Sequence, residues 1–148
     1  MTDDSANPPA LSLRARRRFV AARGAGHCEY CRMVERFQGA PYHVEHVIPS
    51  SRLGSDGLDN LAWACPSCNL TKSARLTLTD PVTATPTEVF NPRTMRWDSH
   101  FEWSGYRIVG RTSVGRAIIN ALDLNSALRV GIRQMEQREG CFPPPDGE

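Results

Sequence analysis

Four of the five cysteines stand in two Cys-x-x-Cys pairs, Cys28 with Cys31 and Cys65 with Cys68. Two such knuckles can set four thiolates tetrahedrally around one zinc ion at about 2.3 Å each, a closed set that leaves no position for substrate. The implied zinc is structural. It ties together the two ends of a segment of roughly forty residues and closes the loop between them. A redox pair or unpaired core cysteines are the bland alternatives, and neither pair has the strand-to-helix context of a redox motif. Cys141, beside a proline run, reads as an incidental thiol.

Inside the segment lie His43, Glu45, His46 and Asn60, and Asn69 and Lys72 follow the last cysteine. A neutral imidazole suits proton abstraction from water near neutral pH, which makes His46 a candidate general base. Carboxylate and amide oxygens suit a hard divalent cation, so Glu45 and Asn69 are candidate ligands. On a strand, adjacent Glu45 and His46 point to opposite faces. Lys72, one helical turn beyond Asn69, could meet a phosphate near the helix N-terminus. His43 shares a strand face with Glu45 and reads as a further ligand, a DNA contact or a packed histidine.

The run VEHVIP, then DNL, then ACPSCN with Lys72 resembles the ββα-metal motif of HNH endonucleases, and specifically their zinc-stabilised branch. The resemblance covers about a third of the chain. It implies a nuclease hydrolysing phosphodiester bonds of DNA, or RNA, with Mg²⁺, Mn²⁺ or another divalent ion, leaving 5′-phosphate and 3′-hydroxyl ends. The signature positions become His46, Asn60 and Asn69, an H-N-N variant. Asn60 would hold its loop by side-chain hydrogen bonds so that a backbone carbonyl fixes the tautomer of His46. Two departures stand out. Glu45 replaces the commoner aspartate, and Leu53 occupies one place of a frequent Gly-Gly pair.

These residues need elements to position them. The 148 residues, 40% hydrophobic and 23% charged, bound the chain to an ordinary globular protein and exclude collagen-like or wholly disordered classes. The expected fold is α+β: a ββα-metal (His-Me finger) core with a structural four-cysteine zinc, plus an N-terminal helix and a C-terminal β-hairpin and helices. The expected organisation is a flexible leader over 1–10, a single nuclease domain over 11–140 with its core motif at about 28–76, and a flexible tail over 141–148. Ser12 reads as the N-cap of a basic helix ending at Gly24. YHVEHVIP reads as a strand, 66–75 as a short helix, and the Pro- and Thr-rich stretch after it as an extended connection. HFEW and YRIVG read as a hairpin around Ser-Gly, followed by helices capped by Ser113 and Asn125. Trp63, Trp97, Phe101 and Trp103 are expected in the core, and His27 and His100 in structural or exposed roles.

A formal charge of +2 argues for no polyanionic partner by itself. The arginines are concentrated in the first helix, and Arg14, Arg17 and Arg18, with Lys72, are candidate phosphate contacts. No apolar run is long enough to span a bilayer, so a cytoplasmic protein with no membrane partner is expected. Symmetric double-strand cutting would call for a homodimer. The principal alternative is a zinc-stabilised nucleic-acid-binding or adaptor domain that does not cut.

Overall fold

The computed structural model describes residues 11–145; the expected leader and the last three residues of the expected tail lie outside them. The first helix, α1 (Leu13–Arg23), is capped by Ser12, whose hydroxyl accepts from the Ala15 N–H at 3.1 Å. It packs on a hairpin of β1 (His43–His46) and β2 (Leu61–Ala64). The antiparallel register sets His43 opposite Ala64, Glu45 opposite Ala62 and His46 opposite Leu61. All four residues of β2 are buried, as a strand covered on both faces must be.

Helix α2 (Pro66–Lys72) starts at once after β2, because Pro66 presets the first helical turn and the Cys65 sulfur accepts the Cys68 N–H at 3.3 Å. It ends at Ser73, earlier than the sequence suggests, where φ is 53°. It packs back on β1, completing the ββα unit.

The Pro- and Thr-rich stretch is more ordered than expected. It pairs as β3 (Thr77–Thr79) with β4 (Pro86–Glu88). Asp80, fully buried in their connection, accepts from the Val82 N–H, the Thr83 hydroxyl and both Nε and a terminal nitrogen of Arg116. The Arg116 guanidinium holds its carboxyl well below the usual range. A short helix α3 (Trp97–His100) leads into the hairpin β5 (Phe101–Ser104) and β6 (Arg107–Gly110). Its turn residues are Gly105 and Tyr106, one position later than the sequence suggests.

Helices α4 (Ser113–Ala121) and α5 (Ala127–Arg138) close the fold. Both N-caps shift by one residue, to Thr112 and Ser126. Asn125 is instead bound to Ile108 at both its N–H and its carbonyl, fastening β6. Trp63, Trp97 and Phe101 are buried and Trp103 packs against them. Among the described residues no helix is long and apolar enough to cross a membrane.

Gly115 marks the closest packing of α4 on the hairpin, since a Cβ there would lie 2.1 Å from the His100 carbonyl oxygen and 3.3 Å from the Gly110 Cα. Alanine would favour the helix by up to about 1 kcal/mol, whereas overpacking costs about 1–3 kcal/mol. Gly115→Ala is therefore expected to lower the thermal midpoint by several degrees in a calorimetric scan; an unchanged or higher midpoint would show that the backbone yields freely.

Candidate active site and metal centre

The four thiols of Cys28, Cys31, Cys65 and Cys68 are buried and lie within 4.8 Å of one another. The Cys31 and Cys65 sulfurs are 3.8 Å apart. That is far longer than the roughly 2.05 Å of a disulfide and equals the edge of about 3.8 Å that a tetrahedron with 2.3 Å metal–sulfur bonds requires. The donor set therefore fits zinc or another thiophilic ion. The first knuckle is folded by the Cys28 N–H bonding to the Met33 carbonyl and the Arg32 N–H to the Cys28 carbonyl. It is joined to β2 through Glu29, whose N–H reaches the Trp63 carbonyl at 2.8 Å and whose carboxylate accepts the Trp63 N–H at 2.7 Å.

Four thiols packed this closely cannot titrate independently. Burial pushes the Cys28 thiol up, neighbouring thiols push Cys68 up, and hydrogen bonds from the same neighbours hold Cys65 down. A dication removes the conflict by taking all four as thiolates. Helix α5 supplies a further counter-charge. Arg129, 4% exposed, donates to the Cys68 sulfur at 3.5 Å and approaches the Cys65 sulfur at 3.9 Å. Burial alone would lower its pKa, but the charges of Cys68, Cys31 and Cys65 raise it. The sequence carries no local signal for this role, because Arg129 is one polar position in a mixed helix.

The loop between β1 and β2 is built around Asn60. Its side-chain oxygen accepts the Ile48 N–H at 2.9 Å, and its amide donates to the carbonyls of Ile48 and Ser55 at 3.0 and 2.8 Å. The Cβ of any larger residue at Gly54 would fall 1.7 Å from the Ile48 carbonyl oxygen, so the loop closes only around glycine there. Leu53, the departure from the Gly-Gly pattern, takes a φ of 67°, a conformation that favours glycine, with its side chain in solvent.

His46 is half-buried at the end of β1, and its Nε2 lies 2.7 Å from Asp56 Oδ1. The resemblance implies a backbone carbonyl as its partner. The structure provides a carboxylate, 69% exposed, from a residue whose sequence context marks only a turn. The His46 hydrogen bond lowers the Asp56 pKa, with a smaller pull from the charge of Arg16. With Nε2–H donated to Asp56, Nδ1 carries the lone pair that can accept a proton.

Glu45 points to the other side of the strand and is only 6% exposed. The Lys72 ammonium lies 2.5 Å from its Oε1, and the Tyr30 hydroxyl donates to Oε2 at 2.5 Å. Burial nevertheless pushes the Glu45 carboxyl up, against the pull of Lys72 and Tyr30. Lys72, the expected phosphate contact, is turned inward to Glu45. It is 1% exposed and also donates to the Val47 carbonyl at 2.9 Å, so burial removes it from direct reach of a polyanion in this arrangement. Asn69, half-buried, is one turn earlier on the same side of α2. His43, at the start of β1, is exposed.

On the basic helix, Arg17, exposed like Arg14 and Arg18, stacks over Trp63 at 4.7 Å and donates to the Tyr42 carbonyl.

A comparison with protein-family models matches residues 28–75 to the HNH endonuclease family. That stretch, about a third of the chain, is similar to an HNH endonuclease domain. Comparisons with curated proteins and with solved structures found no match. The HNH segment runs from the first zinc knuckle through the end of α2 and contains the whole Glu45, His46, Asn60, Asn69 and Lys72 constellation.

Asn60→Ala would remove the side-chain partner of one N–H and two carbonyls, all part-buried, each bond contributing about 1 kcal/mol. Denaturant unfolding is expected to show a loss of about 2 kcal/mol or more with the bound metal retained, and unchanged stability would mean that the loop is held by something other than Asn60.

Proposed function

We propose that the protein is a DNA endonuclease whose HNH domain hydrolyses phosphodiester bonds with His46 as general base. The observation that carries this reading is the His46–Asp56 pair, set on a loop clamped by Asn60, at the edge of the zinc-tied hairpin. Asp56 orients the ring and stabilises the imidazolium as it forms, while Nδ1 takes the proton of the attacking water. The loop fixes the ring before substrate arrives, so positioning is prepaid in folding.

Mg²⁺, Mn²⁺ or another divalent ion, held by Glu45 and Asn69 with His43 as a further donor, would supply charge stabilisation at the non-bridging and leaving oxygens when bound. These donors have the right chemistry for a hard cation. Glu45 must first part from the Lys72 ammonium, which stands beside it as a counter-ion. Lys72 released in that way would become the phosphate contact that its spacing from Asn69 suggests. Arg14, Arg17 and Arg18 on α1 are exposed and suited to backbone phosphates without base readout, and the charge of Arg16 reaches Asp56 in the loop.

A nicking assay on supercoiled plasmid with Mg²⁺ or Mn²⁺ tests the assignment. His46→Ala should cut at least about a hundredfold more slowly, with metal content and melting temperature preserved. Asp56→Asn should lose less, because its carboxylate is largely in solvent. Undiminished nicking by His46→Ala would remove His46 as the base, and the absence of nicking in the unsubstituted protein, with DNA still bound, would favour the non-cleaving binding module.

A further inference from the structure

A cavity of about 730 Å³ opens beside the first zinc knuckle, and none of Glu45, His46, Asn60 or Asn69 lines it. Its wall carries Arg23, Arg32, Arg93 and Arg96 against two acids, Glu29 and Asp59. Arg96 pairs with Asp98, and Arg93 pairs with Glu29. The other Glu29 oxygen is already engaged by the Trp63 N–H. Arg23 donates its terminal nitrogens to the Leu58 and Leu61 carbonyls. The Nε–H groups of Arg23 and Arg93 are buried and meet no acceptor.

The like charges are felt. Burial lowers the pKa of Arg23, the neighbouring charge of Arg93 lowers it further, and the charge of Glu29 pulls the other way. The Arg32 guanidinium lies over the Trp97 ring at 5.4 Å, and both residues line the cavity. Arg32 does so from a backbone φ of 64°, directly after Cys31, where glycine would be unstrained. A charged, partly desolvated side chain kept in a conformation that favours glycine is a sign of a site.

We propose that this cavity binds a phosphate group and, resting on the nuclease reading, that the phosphate belongs to the backbone of the substrate strand away from the scissile bond. Four guanidiniums against two carboxylates leave the wall with an excess of positive charge, and a guanidinium fork matches the oxygens of a phosphate in geometry and charge. The wall and the proposed base share one hairpin, since Arg23 holds the carbonyl of Leu61, the residue paired with His46.

The test uses the full chain carrying His46→Ala, titrated with inorganic phosphate by calorimetry and with a short DNA duplex at several salt concentrations. Adding Arg32→Gly should leave the melting temperature no lower, weaken phosphate binding at least about fivefold, and weaken DNA binding with a salt slope smaller by about one. Arg32→Lys, which keeps the charge, should lose less of each and covers the case in which glycine disturbs the knuckle. Loss of phosphate affinity with DNA affinity unchanged would keep the phosphate site and overturn its assignment to the substrate backbone, pointing to free phosphate. No measurable phosphate binding together with unchanged DNA affinity in both variants would overturn the proposal. Failure of the nuclease reading itself shows elsewhere, in the plasmid assay, and leaves the phosphate titration intact.

Discussion

Four buried thiols within 4.8 Å of one another can ionise together only if a cation stands among them. The rest of the segment that matches the HNH family hangs on that requirement. The first knuckle and the second are separated by the whole β1–loop–β2 excursion, so gathering their sulfurs closes the hairpin at its base. The second knuckle is also the N-terminus of α2, since Cys65 is both thiol donor and helix cap. One ion there would fix the angle between α2 and the hairpin, the angle that brings Lys72 against Glu45.

The chain beyond the HNH segment is coupled to the same centre through polar contacts. Arg129, Arg133 and Glu136 share one face of α5 and are all buried. Arg129 reaches the sulfurs, Arg133 binds the Tyr106 and Leu124 carbonyls, and Glu136 accepts the Val34 N–H beside the first knuckle. A face of this kind is stable only if each charge meets a partner, and the cost of removing one partner exceeds what the intact pair contributes. The extension therefore braces the thiols and the first knuckle as well as covering the aromatic core.

Much of the architecture was legible in the sequence because it follows local rules. Ser12 and Gly24 bracket α1, the alternation of YHVEHVIP marks β1, and the cysteine spacing fixes the metal centre. The resemblance points to Asn60 as a loop holder, and its side chain does bond Ile48 and Ser55, but the partner of His46 is Asp56 and not a backbone carbonyl. What escaped depends on contacts between distant residues. Asp56 looks like any turn aspartate until the loop folds it onto His46. The buried state of Lys72 depends on Glu45, twenty-seven positions earlier in the chain, turning inward. The buried face of α5 escaped because a pattern search for apolar periodicity treats Arg129, Arg133 and Glu136 as solvent-facing.

The dependence of the hairpin on the thiol-bound ion is most directly tested by native mass spectrometry combined with amide hydrogen exchange, before and after removal of metal with a chelator. One zinc per chain is expected, and its removal should abolish protection at the Val47 and Ile48 amides, which bond to the carbonyl and side chain of Asn60. A chain that carries no metal as purified, or that keeps those amides protected after the metal is gone, would contradict the central role of the four cysteines.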